Sequence, residues 1–195
     1  MIDKIIVYPH PTLRHRSKPI KRVDNELRAA VAQMFDLMYE ARGVGLAANQ
    51  VDLPLRVFVI NTAGEPGEGE ELVFINPVIQ RASGSEEQEE GCLSLPGLYA
   101  PVRRSETVRA QAYNLAGQQM TIDASGLLAR AIQHELDHLD GILFIDRLSE
   151  TSKLAVRPQL DEFEEDVIAQ RRLGTWAADD EIQRRLRDLE ARYCA

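Results

Sequence analysis

Several features that define other protein classes are scarce or absent in this sequence. Only two of its 195 residues are cysteine, too few for a secreted scaffold built on disulfide bonds, and the reduced cytosol suits them better. No run of about 18 apolar residues could span a membrane, and residues 1–7 lack the apolar segment of a signal peptide. A net charge of −8 disfavours nucleic-acid phosphate as the main partner. We therefore expect a cytoplasmic protein without membrane or base-specific nucleic-acid binding.

The composition that is present is that of a globular protein, with 44% hydrophobic and 28% charged residues. Its length suits one domain with an additional helical segment. After Ser149 the sequence becomes rich in charged residues and leucine at helical spacing, with eight Lys/Arg and ten Asp/Glu between residues 151 and 195. We therefore predict a main domain over residues 1–150 and a mixed-charge helical tail over residues 151–195.

Local patterns predict most of the elements before the tail. Asp24 should cap a helix that runs to Ala41 and stops at Gly43. Further predictions are strands over 56–60 and 72–75, the second ended by Asn76-Pro77, and a solvated acidic loop over 83–90. A hairpin is predicted from 108–113 and 118–122, followed by a helix that Ser125 caps and that continues to Leu139, with Gly141 at its end.

The helix ending at Leu139 contains His134-Glu135-Leu136-Asp137-His138. His134 and His138 are spaced i, i+4 and lie about 40° apart around the helix axis, which is a metal-chelating arrangement. Glu135 falls within the apolar arc of the helix, where an ionised carboxylate is costly unless it is paired or used. Desolvation should raise its proton affinity, as suits a general base. A merely packing role for both histidines stays open at this point.

The identity of a third metal ligand is open from spacing alone. Gly141 matches a metzincin pattern, but Phe144 occupies the position of the third histidine and cannot bind metal. A thermolysin-like site would take a glutamate from the tail; the candidates are Glu162, Glu164 and Glu165. His10 and His15 are also conceivable ligands. Cys92 in Glu90-Gly91-Cys92-Leu93-Ser94 is a further candidate, because a thiolate binds divalent metals strongly.

Three segments together resemble the signature motifs of peptide deformylases. They are Gly43-Val44-Gly45-Leu46-Ala47-Ala48-Asn49-Gln50, Glu90-Gly91-Cys92-Leu93-Ser94 and Gln133-His134-Glu135-Leu136-Asp137-His138, in the family's order. The resemblance covers about residues 5–149 and implies a deformylase-like catalytic domain there. It also implies an α+β fold in which antiparallel sheets surround a central metal-binding helix, with a packed N-terminal helix and the helical tail outside.

The resemblance assigns roles to ten residues. It implies that Cys92, His134 and His138 hold the metal, and that metal-bound water attacks the formyl carbon with Glu135 as general acid/base. Gln50 and the backbone N–H of Leu93 would stabilise the oxyanion. Gly45 would contact the substrate backbone, and Val44, Leu127 and Ala131 would line a pocket for a methionine side chain. Arg130 lies nearby but turns away from the apolar arc, and no role follows for it.

The resemblance also implies the reaction and its partners. The expected enzyme is a hydrolase that removes the N-formyl group from the N-terminal formylmethionine of newly made peptides and releases formate. The implied cofactor is Fe²⁺, with Zn²⁺, Ni²⁺ or Co²⁺ as substitutes, since cysteine and histidine ligands suit all of them. N-formylmethionyl peptides are the expected partners, together with the ribosome near the nascent-chain exit.

Three other functions compete with this interpretation. An endopeptidase with a tail glutamate as third ligand would keep its metal without Cys92. A non-catalytic metal-binding or ribosome-associated module would not need Glu135. A purely structural domain would bind no metal at all.

Overall fold

A computed structural model describes residues 2–194 of the chain. In chain order the helices and strands are α1 (Asn25–Glu40), β1 (Gly45–Ala47), β2 (Val57–Ile60), β3 (Leu72–Ser83), β4 (Glu86–Cys92), β5 (Leu95–Arg104), β6 (Thr107–Tyr113), β7 (Gln119–Ser125), α2 (Gly126–Leu139), α3 (Glu150–Arg172) and α4 (Asp179–Tyr193). Within this range, none of the helices has the length and apolar character needed to cross a lipid bilayer.

Two antiparallel sheets enclose helix α2. The larger sheet has the strand order β1-β2-β3-β6-β7, and β4 pairs with β5 in a separate two-stranded sheet. The apolar face of α2, including Ala129 and Ile132, packs on one side of the larger sheet. Its polar residues face β4 and β5 through ion pairs described below. The predicted α+β fold around a central helix is confirmed.

Helix α1 covers the opposite side of the larger sheet, which explains why β2 is apolar at every position. Val57 and Val59 point towards α1, whereas Phe58 and Ile60 point towards α2. A strand buried on both faces reads as a continuous apolar run rather than an alternation. The Asp24 side chain accepts a hydrogen bond from the Leu27 N–H, as the predicted N-cap requires.

Two predictions about the strands were wrong. Strand β3 does not end at Asn76-Pro77, because the chain passes through a β-bulge there and pairing with β6 resumes. Asn76 adopts a positive φ of 52°, and its side chain exchanges two hydrogen bonds with the Ile20 backbone. The acidic segment 83–90 is mostly the strand β4 rather than a loop, because Glu86 and Glu87 lie opposite Arg104 and Arg103 of β5.

The predicted helical tail is confirmed, and it packs against the rest of the chain. Val156 and Leu160 of α3 join the apolar cluster beneath β5. Tyr193 of α4 is buried in the cluster beneath α1, and the Glu190 carboxylate bonds His15 Nε2 at 2.8 Å and Lys18 Nζ at 2.7 Å. The division into domains at residue 150 stays a prediction.

Docking of α4 should depend on pH through Glu190. Burial acts to raise the pKa of Glu190, but the hydrogen bonds from Lys18 and His15 outweigh it and hold the pKa below its usual 4.5. A carboxyl group with a lowered pKa stabilises the folded state above the unfolded-state value and loses that contribution as the pH falls through the folded-state value. We therefore expect α4 to stay docked above about pH 4.5 and to loosen below it.

Fluorescence of Trp176, the only tryptophan in the sequence, can report this change because its ring lies 5.3 Å from that of His10. At neutral pH, Glu190→Gln should weaken docking by about 1.5–3 kcal/mol, the range for a hydrogen bond to a charged group. Glu181→Gln on the exposed side of α4 is the matched control. An acid transition of the same midpoint and size in the Glu190 variant would contradict this expectation.

Candidate active site

The three predicted metal ligands converge at one point between α2 and the end of β4. Cys92, His134 and His138 each offer a ligand atom, and these atoms lie within 4.8 Å of one another. Cys92 Sγ is 3.3 Å from His138 Nε2. Burial lowers the pKa of His138 well below its usual 6.5, which keeps the imidazole in the neutral form that binds metals. Within residues 2–194 this is the only His/Cys/Asp/Glu group that meets this geometry.

The donor set fits a divalent transition metal. One thiolate and two imidazoles are ligands that such ions accept. Cys92 forms no disulfide, and neither does Cys194. His138 Nδ1 and Glu135 Oε2 are buried without a hydrogen-bond partner among the described residues. Buried polar atoms normally have partners, so the unpartnered Glu135 Oε2 beside the cluster is consistent with a site built to receive a reactant. The His138 nitrogen at the cluster is Nε2, the one beside Cys92 Sγ.

Glu135 lies in a buried environment beside this cluster, with 4% of its surface exposed. Burial raises the pKa of Glu135 to about 7, against the lowering influence of His134 and Arg104. The position of Glu135 within the apolar arc of the helix therefore raises its proton affinity, as predicted. A carboxyl with a raised pKa can both accept and donate a proton near neutral pH.

A cavity of about 620 Å³ opens above the cluster. Nine of the ten predicted site residues line it: Val44, Gly45, Gln50, Cys92, Leu93, Leu127, Ala131, His134 and Glu135. The tenth, His138, contacts Cys92 and is 1% exposed. The cavity is therefore lined by both apolar side chains and titratable groups, and we refer to the part formed by Cys92, His134 and Glu135 as its floor.

The Gln50 side chain has a fixed orientation at the edge of this cavity. Its Oε1 accepts a hydrogen bond from the Ala47 N–H at 2.8 Å. Its Nε2 donates to Ser94 Oγ at 3.3 Å and lies 3.5 Å from Cys92 Sγ. The first bond determines which end of the amide faces the cluster, so the donor nitrogen points towards the metal ligands.

The alternative ligands lie elsewhere. Glu164 accepts a hydrogen bond from the Tyr8 hydroxyl, and neither Glu162 nor Glu165 belongs to the ligand group. His15 binds Glu190, and His10 packs against Trp176. The structure therefore gives no support to a thermolysin-like third ligand from the tail.

Comparison with known proteins agrees with this geometry. A family model described as polypeptide deformylase matches residues 2–154 of the chain. The chain belongs to the peptide deformylase family. The enzyme class expected from the sequence, a metal-dependent hydrolase of this family, is thereby confirmed.

Individual relatives extend the similarity over most of the chain. The peptide deformylase of Rhodopirellula baltica is 47% identical over 189 residues, which cover 97% of this chain and 94% of that protein. That of Neisseria gonorrhoeae is 47% identical over 156 residues, covering 80% and 92%. The crystal structure of a plant peptide deformylase 1B superposes with a TM-score of 0.84 at 42% identity, covering 88% of this chain and 92% of that one.

A buried network of ion pairs supports the three metal-ligand residues and was not predicted. Glu90 Oε2 lies 3.1 Å from His134 Nδ1, and the same carboxylate accepts hydrogen bonds from Arg104 and Arg130. Burial acts to raise the pKa of Glu90, but the bonds to His134 and Arg104 prevail and lower it to about 2. Glu90 is therefore ionised, and it can accept a hydrogen bond from His134 Nδ1–H, which leaves Nε2 free to bind metal.

The network continues to Asp137, which lies on α2 away from its apolar arc. Asp137 accepts hydrogen bonds from Arg104 at 2.8 Å and from Arg147. Arg104, Arg130 and Asp137 are all at most 8% exposed. A helical pattern can show that Arg130 and Asp137 lie off the apolar arc of α2, but it cannot show that they face partners rather than water.

Gly45 approaches Glu135 so closely that a side chain at position 45 would not fit. A Cβ atom at this position would lie 2.5 Å from Glu135 Oε1 and 3.0 Å from its Cγ and Cδ. Because Glu135 is buried, Gly45→Ala should displace its carboxylate. A misplacement of about 1 Å can cost about 100-fold in rate. We expect kcat to fall by this order with bound metal unchanged, as turnover and metal analysis can check; wild-type turnover would contradict it.

Proposed function

We propose that the chain removes the N-formyl group from peptides that begin with formylmethionine and releases formate. The observation that carries this proposal is the buried Glu135 carboxylate, with its unpartnered oxygen, beside the Cys92–His134–His138 cluster on the floor of an open cavity. The family supports the reaction class, and the apolar wall residues Val44, Leu127 and Ala131 suit a methionine side chain.

Cys92, His134 and His138 would hold the metal ion, and we propose Fe²⁺, with Zn²⁺, Ni²⁺ or Co²⁺ as substitutes. A divalent ion bound there supplies Lewis acidity and lowers the pKa of water to near neutrality. Thiolate and imidazole donors do not distinguish among these ions, so the choice of iron follows the family resemblance stated above.

Glu135 moves the proton in this mechanism. It takes a proton from the attacking water as the new C–O bond forms at the formyl carbon. It then gives that proton to the peptide nitrogen as the C–N bond breaks, so that formate and a free α-amine leave. The Gln50 Nε2 donor and the Leu93 N–H stabilise the negative charge that develops on the formyl oxygen, and loss of one such donor typically costs about 2.7–4 kcal/mol.

The backbone of a bound substrate peptide would meet two strands at the cavity. Strand β1, with Gly45, is the last strand of the larger sheet, and β4 belongs to the two-stranded sheet. Residues of both line the cavity. An extended peptide between them can pair its backbone with an exposed edge, which supports a substrate-binding role for Gly45.

The cellular setting is also a proposal. The bacterial relatives support action on newly made peptides in the cytoplasm, while a relative from Arabidopsis thaliana is named as chloroplastic/mitochondrial. Binding to the ribosome near the nascent-chain exit stays a prediction.

Formate release from a formyl-methionyl dipeptide by anaerobically purified protein tests the proposed reaction. We expect one formate per free α-amine formed, and no free α-amine from the acetylated dipeptide. An unformylated peptide should stay intact. Cleavage of internal peptide bonds without formate release would instead favour the endopeptidase alternative.

A further inference from the structure

Arg130 takes no direct part in the proposed reaction, yet it is buried at the wall of the active-site cavity. It is 8% exposed, and its guanidinium group makes three contacts to the two-stranded sheet. Nη1 donates to Glu90 Oε1 at 2.5 Å and to the Val102 carbonyl at 3.1 Å. Nη2 donates to the Glu86 carbonyl at 3.1 Å. One side chain of α2 therefore holds both β4 and β5.

This contact matters because the ligands come from different elements. His134 and His138 belong to α2, whereas Cys92 is the last residue of β4. Their relative position depends on how the helix packs against the small sheet. Arg130 lies one helical turn before His134, so both side chains reach the same carboxylate, that of Glu90, two residues before Cys92.

We propose that Arg130 is a positioning residue that sets the distance between the cysteine ligand and the two histidine ligands. The proposal rests on the metal centre proposed above. Arg104–Asp137 and Gln133–Ser105 also link α2 to β5 and to the residue that follows it. Arg130, by contrast, is the α2 side chain that bonds the β4 backbone directly, through Glu86, as well as the Glu90 side chain.

Geometry and charge predict opposite effects on metal binding. Removing a cation from the neighbourhood of a metal ion favours metal binding by Coulomb's law. Removing the support of a ligand weakens it, typically about 10–100-fold. Arg130→Met keeps the apolar stem and removes the charge. Arg130→Lys keeps the charge but cannot reproduce three contacts, because its ammonium is a single compact group.

The test uses full-length protein loaded with cobalt(II), titrated with a competing chelator and followed by the visible absorption of the bound ion. We expect the cobalt dissociation constant to rise about 10–100-fold in both variants, with a change in the thiolate-to-cobalt absorption. Arg56→Met is the matched control, because the Arg56 side chain is 14% exposed, against 9% for that of Arg130, and pairs with Asp140 at 2.8 Å outside this network. It should reduce thermal stability without changing the dissociation constant.

The possible outcomes distinguish failure of the positioning role of Arg130 from failure of the proposed function. A wild-type protein that binds no cobalt would overturn the metal centre itself. If the wild type binds cobalt but either Arg130 variant binds as tightly or more tightly, Arg130 acts only as a charge or as part of the cavity wall. An equal loss in the Arg56 control would show general destabilisation and also overturn the positioning role.

Discussion

Replacing Glu135 by glutamine is expected to lower kcat for formate release by about 10²–10⁴-fold, the contribution typical of a general acid/base. The amide has nearly the same shape as the carboxylate but cannot take a proton from water. The side chain does not belong to the ligand group, so bound metal should stay at the wild-type level. The loss should therefore appear in kcat rather than in metal content.

The matched control for this substitution is Glu89→Gln. Glu89 lines the same cavity but is exposed to solvent, and the proposed reaction gives it no role. Near-normal turnover by the Glu135 variant at full metal occupancy would remove the general base from the mechanism and require another proton acceptor.

The sequence predicted those parts of the fold that depend on local patterns. The Asp24 cap and the apolar period place α1, and the same reasoning places α2 and with it His134, Glu135 and His138. The i, i+4 spacing is a property of one helix, so it survives whatever the helix packs against. Local geometry was therefore enough to place His134, Glu135 and His138 together.

Assigning Cys92 and the residues of the cavity wall to the site required more information than local sequence patterns contain. Cys92 is 42 residues from His134 in sequence, and nothing in its immediate neighbours distinguishes a metal ligand from a buried thiol. The family resemblance, not spacing, brought it into the site. The predicted placement of Val44, Leu127 and Ala131 rested on the same resemblance, and the structure places all three at the cavity.

The wrong predictions share one physical cause: the polar groups involved are paired with residues that are distant in sequence. The glutamates of β4 read as a solvated loop because their partners, Arg103 and Arg104, lie on the next strand. Asn76-Pro77 reads as a strand end because its bonds to Ile20 are not visible locally. Arg130 lies off the apolar arc of its helix, and no role followed for it from the sequence for the same reason. Each polar group is buried or ordered only because the fold supplies a partner.

Replacing Cys92 by alanine should abolish formate release by removing the metal. Cys92 supplies the thiolate of the three-residue ligand group, and the tail glutamates do not belong to that group. Loss of a direct ligand should weaken metal binding by more than the roughly 10–100-fold typical of an outer hydrogen-bond partner. Metal analysis after gel filtration, together with turnover, measures both effects.

Cys194→Ala is the matched control for this substitution, because the second free cysteine lies in the tail and its thiol contacts the Lys18 carbonyl. It should retain metal and activity. The thermolysin-like alternative makes the opposite prediction for Cys92→Ala, since a third ligand from Glu162, Glu164 or Glu165 would keep the metal bound. Full metal occupancy in the Cys92→Ala variant would therefore show that β4 supplies no metal ligand. It would also contradict the positioning role of Arg130, because Arg130 could not then set a distance between a ligand on β4 and the two ligands on α2.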